Sequence, residues 1–105
     1  MTNVTVRADE QLKKAREASS GRSSYMAVHD GPLRQTLIAL TAGNELAEHN
    51  APPAASVFVL RGRVRLAAGD DVAELSAGAL VTVPRQRHSL AAAEDSVVLL
   101  TTIAD

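Results

Sequence analysis

The chain has 105 residues, no cysteine and a formal net charge of -1. Its length holds one domain, and the missing cysteines exclude disulfides, thiolate metal sites and a cysteine nucleophile. The near-neutral charge argues against a nucleic-acid protein, and no apolar run is long enough to span a membrane. The opening MTNVTVRADE has no apolar core, so the expected location is cytoplasmic.

Residues 8–18, ADEQLKKAREA, carry helical spacing through Leu12, Ala15 and Ala18, with Asp9 as the expected N-cap and Ser19, Ser20 and Gly21 as the stop. One large apolar residue is too little for an isolated helix, so this one should lie against a sheet. From Gly21 onward the pattern changes to short apolar runs between turn residues. Strands are expected at 23–28, 33–41, 46–51, 56–60, 64–67, 72–75, 80–83, 88–92 and 97–103. Arg61-Gly62 marks a corner, and Gly69-Asp70-Asp71 marks a turn. No segment after Gly21 supplies a crossover helix, which excludes a parallel α/β sheet. The expected organisation is an N-terminal helical segment over 1–22 and a β domain over 23–105, built as a sandwich or barrel.

Two stretches resemble the motifs of the cupin superfamily. Gly43 is followed after five residues by His49, and Gly62 closes the first motif at the expected distance. Gly78 is followed after five residues by Pro84 and then by His88, as in the second motif. Between them, VFVLRGRVRL looks like the strand, glycine corner and returning strand of that family, and AGALVTVP like the strand entering the second motif. The resemblance covers Leu33 to Ile103. It implies an all-β, cupin-type double-stranded β-helix, a jelly-roll barrel, with one short N-terminal helix.

The departures bear on function. The resemblance implies metal ligands at two histidines and a glutamate in the first motif and at one histidine in the second. His49 and His88 match, but the second histidine falls on Ala51 and the glutamate on Ala55. The segment Pro84–His88 is one residue short, Gln86 replaces a glycine, and the closing asparagine falls on Ala92. A transition metal on imidazole normally needs three or more protein donors. A third would have to come from Glu45, Glu48, His29, Gln86 or Ser56. The expected state is therefore without a cofactor. A divalent transition metal on His49 and His88 is the alternative.

The pocket candidates are His49, His88, Gln86, Arg85, Arg87, Ser56 and Phe58. Histidine near neutrality can donate, accept or take a proton, and arginine matches a carboxylate or phosphate with two parallel bonds. Arg61, Arg63 and Arg65 are spaced by two, so one regular strand would put them on one face, either a solvated rim or a guide for an anion. With only Tyr25 and Phe58 as aromatics, a pocket here cannot rest on stacking. The expected function is a non-catalytic small-molecule-binding, sensor or accessory barrel. The alternatives are a metal-dependent enzyme of oxygenase or isomerase type, and a structural or protein-interaction module. The family resemblance also implies a homodimer, with Ser96–Ile103 and the N-terminal helix as candidate contacts. Neither nucleic acid nor membrane is an expected partner.

Overall fold

A computed structural model describes residues 1–49 and 54–104, with residues 47–49 described as strand only. One helix, α1 (Val4–Glu17), precedes nine strands: β1 (Arg22–Asp30), β2 (Leu33–Leu40), β3 (Glu45–His49), β4 (Ala54–Arg61), β5 (Arg63–Ala68), β6 (Asp71–Ser76), β7 (Leu80–Thr82), β8 (His88–Ala92) and β9 (Ser96–Ile103). They form two antiparallel sheets, a five-stranded one ordered β1-β2-β9-β4-β7 and a four-stranded one ordered β3-β8-β5-β6. Among the described residues the sheets do not close into a continuous barrel. The jelly-roll order is nevertheless the one expected. No helix among the described residues is long and apolar enough to cross a membrane.

The helix starts four residues earlier than its periodicity indicates. Asn3, not Asp9, is the N-cap, and its Oδ1 accepts the Val6 amide at 3.0 Å. Val4, Thr5 and Val6 are poor helix formers, but Val4 packs against the apolar cluster beneath α1, and that contact overrides propensity. At the other end Ala18 leaves helical geometry and Gly21 adopts a positive φ of 69°.

Alternation then sorts each strand. Ile38, Leu40, Val57, Val59, Val64, Leu66, Leu90, Ala92 and Val98 fill the space between the sheets. Leu37, Ala39 and Val97 point the other way and are covered by Ala8, Leu12 and Ala15 of α1. Both faces of β2 are therefore buried over Leu37–Leu40, which replaces the usual in–out alternation with four consecutive buried residues. Two ion pairs fasten α1 to the sandwich, Arg61 with Asp9 and Arg16 Nε with Asp95 at 2.9 Å.

Two expectations differ from the structure. Arg61, Arg63 and Arg65 do not share a strand face: Gly62, at φ 80°, ends β4 and starts β5 between them. Arg63 and Arg65 lie exposed on the outer face of β5, where Arg65 pairs with Glu74 at 2.7 Å. The C-terminal strand β9 is not an available edge, because it pairs with β2 on one side and β4 on the other. Its apolar side chains from Val97 to Leu100 pack within the chain, while Ile103 is exposed.

Candidate functional site

One end of the sandwich gathers the residues on which the two motifs converge. In β8 His88, Leu90 and Ala92 are buried in alternation, and Leu90 and Ala92 belong to the inter-sheet core, so His88 faces inward. Only 5% of His88 is exposed. In register it stands opposite His49 of β3 on one side and Ala68 of β5 on the other. The four-stranded sheet thus carries the row His49–His88–Ala68.

The facing sheet carries a matching row at the same end. Thr102 of β9 pairs with Arg34 of β2 and with Ala55 of β4. Ala55 packs against the inter-sheet core, which places this row on the inward face. The segment joining β7 to β8 crosses between the two rows. Its first residue, Val83, is buried and donates its amide to the Ala55 carbonyl at 2.9 Å.

The same segment fixes the His88 ring. His88 Nδ1 lies 2.9 Å from the Gln86 carbonyl oxygen. A carbonyl only accepts, so Nδ1 donates to it, which fixes the orientation of the ring. Gln86 therefore contributes its backbone to the site, and its residue is exposed. Arg85 and Arg87 are exposed on the same crossing. Arg85 borders a cleft of about 340 Å³ with Ala54, Ala55, Thr82, Val83 and Pro84. A smaller hollow of about 140 Å³ lies behind Pro84, between Val81, Leu66, Ala68 and Asp71.

The structure does not bring every candidate to this end. Val57 and Val59 point into the core, so Ser56 and Phe58 between them face outward. Ser56 pairs with Thr82 and Thr101. Phe58 borders a separate groove with Thr5, Ala8 and Arg61, under the start of α1. His29 lies exposed at the end of β1, and Glu45 is exposed at the start of β3, four residues from His49. Ala51 and the side chains of Glu48 and His49 lie outside the described residues.

Two residues at this end were not among the sequence candidates, Arg34 and Thr102. A signal for them exists. The inward residues of β2 run Arg34, Thr36, Ile38, Leu40, polar toward the His88 end and apolar away from it. Those of β9 run from Val98 through Leu100 to Thr102 in the same sense. Assigning a face required the register, since β1 carries a bulge between Met26 and Val28 that inverts its alternation.

A transition metal held by a full set of protein donors does not fit these residues. Position 55, which faces inward opposite Thr102, is alanine. Among the described residues no group of three histidines, cysteines, aspartates or glutamates is placed to hold a metal ion. What the end offers is imidazole hydrogen bonding, two guanidinium groups at the rim and an apolar wall. Asp71, the first residue of β6, borders the hollow behind Pro84.

No protein-family model matches the chain, and no curated protein matches it. Solved structures do match it. A conserved protein of unknown function from Streptococcus pyogenes superposes with a TM-score of 0.75 at 24% identity, over 84% of this chain and 78% of that one. A cupin superfamily protein from Desulfitobacterium hafniense superposes with a TM-score of 0.74 at 18% identity, over 80% of this chain and 78% of that one. Salicylate 1,2-dioxygenase from Pseudoaminobacter salicylatoxidans, solved with gentisate, gives a TM-score of 0.82 at 18% identity. That match covers 97% of this chain and 33% of the dioxygenase, so the chain corresponds to one third of that protein's length. The fold is the cupin fold.

Proposed function

We propose that this chain is a small-molecule-binding cupin module without catalysis of its own, serving as a sensor or accessory domain. Its ligand is a small organic anion, held at the His88 end of the sandwich. The observation that carries the reading is the pair of facing rows, His49–His88–Ala68 and Arg34–Thr102–Ala55, with Arg85 at the rim. Hydrogen-bonding and cationic groups remain there, while the inward position that would need a carboxylate for a metal is alanine. Replacing a buried carboxylate by alanine is consistent with a site no longer neutralised by a cation, because an unpaired buried charge is costly. The filled space between the sheets supports shallow rather than deep binding.

The register pairing of His49 with His88 favours a second reading, a metal-dependent enzyme on two imidazoles and water. The two readings part in one experiment. Thermal unfolding is followed with succinate, salicylate or gentisate in the presence of a chelator. Ligand at 100 times its Kd adds about 2.7 kcal/mol of stability. The binding reading expects a rise in Tm that survives chelation and is reduced by Arg85→Ala or Arg34→Ala. A rise that appears only when a transition metal is added would overturn it, as would no rise with any anion.

A further inference from the structure

We infer a second ligand site, independent of the His88 end, in the cleft where the sandwich is open between β1–β2 and β3. The five-stranded sheet has one strand more than its partner, and β1, at its edge, packs chiefly on β2 and α1. Beside it is a cleft of about 400 Å³ bordered by Ser20, Arg22, Ser24, Thr36, Ile38 and Leu46. That volume lies within the range of small-molecule pockets.

The lining is ordered by chemistry. Ile38, 9% exposed, and the partly buried Leu46 belong to or pack on the inter-sheet core and give the cleft an apolar floor. Arg22, Ser24 and Thr36 surround it. Register places Arg22 opposite Leu40, Ser24 opposite Ile38, and Thr36 opposite Met26, so these polar groups lie along one inward strip of two adjacent strands. The Arg22 guanidinium makes no ion pair among the described residues, and neither hydroxyl has a hydrogen-bond partner there. Ser20 closes the end of the strip, its hydroxyl donating to the Arg22 carbonyl at 3.4 Å. Elsewhere on the molecule Arg7, Arg16, Arg61 and Arg65 are each paired with a carboxylate, while Arg34, Arg63 and Arg85, like Arg22, make no ion pair among the described residues.

An unpaired guanidinium, two unspent hydroxyls and an aliphatic floor together fit a short amphipathic carboxylate. Its carboxylate takes two parallel bonds from Arg22, a hydroxyl on its chain meets Ser24 and Thr36, and its alkyl portion covers Ile38 and Leu46. This site is separate from the His88 end. Arg22 pairs with Leu40 and the other site begins at Arg34, six residues along β2, or roughly 20 Å at the rise of a strand.

The test is a titration of the full chain with 3-hydroxyhexanoate, followed by backbone amide shifts, with 1-hexanol as the uncharged comparison. The expected result is saturable shifts at Arg22, Ser24, Thr36 and Leu46, with hexanol far weaker. Arg22→Gln, an exposed substitution that leaves the core untouched, should weaken binding roughly ten- to a hundredfold, as loss of a charged hydrogen bond does. Arg63→Gln, which removes the same charge from the outer face of β5, should leave it unchanged. Shifts centred on His88, equal binding of hexanol, indifference to Arg22→Gln or no saturable shift would each overturn the assignment.

Discussion

Gly62 offers the sharpest test of how the two motifs are built into the fold. It sits at φ 80°, where a residue with a Cβ pays about 1–2 kcal/mol. A Cβ built there would also collide with Ser96 Oγ and the Asp95 carbonyl oxygen. Ser96 has little room to retreat. It is 1% exposed, its Oγ accepts the Arg63 amide at 3.0 Å, and it donates to the Glu94 carbonyl at 2.7 Å. Overpacking of this kind costs about 1–3 kcal/mol. Gly62→Ala should therefore lose about 2–5 kcal/mol in urea unfolding, or roughly 10–30 °C in Tm for a chain of this size. Gly78 is the internal comparison. It has φ 93° but open space where a Cβ would go, so Gly78→Ala should lose only the backbone part, about 1–2 kcal/mol. Equal losses for the two variants would refute the claim that close approach of β9 fixes this corner.

Asn3→Ala removes the acceptor for the Val6 amide and should cost about 1 kcal/mol, read from the urea midpoint. Asp95 is held below the usual carboxylate range, first by the Ala42 amide and then by the Arg16 side chain. A depressed folded-state value gives stability that is present above the unfolded carboxylate value and lost as pH falls through the folded one. The stability gap between the protein and Asp95→Asn should thus be open at neutral pH and close under strongly acid conditions. A gap that persists unchanged with acid would remove Asp95 as its source. The exposed pair Arg65–Glu74 also lowers the Glu74 value, yet Glu74→Gln should leave Tm nearly unchanged because water screens both partners.

Strand positions were readable because turns and glycines punctuate this chain so regularly. The run 88–92 is recovered residue for residue, and the Gly43, Gly62 and Gly78 corners all adopt positive φ. The helix start was not readable, since Val4 and Val6 argue locally against a helix that tertiary packing rewards. Faces were harder still. Phe58 and Ser56 sit in an apolar run whose two faces are both covered in part, one by the opposite sheet and one by α1, so alternation alone does not say which is inside. The place of β9 in mid-sheet follows from long-range pairing that no local signal encodes. At the site, His88 was legible from its motif. Arg34 was not, because its inward face depends on register with Thr102 of β9, 68 residues further along the chain.

The proposed binding role requires that the His88 end work without a resident metal. Elemental analysis of protein purified without a histidine tag or chelator tests it most directly. The expected result is only trace iron, manganese, nickel, copper and zinc, unchanged when His49 and His88 are both replaced by alanine. Near-stoichiometric metal that is lost in the double variant would contradict it.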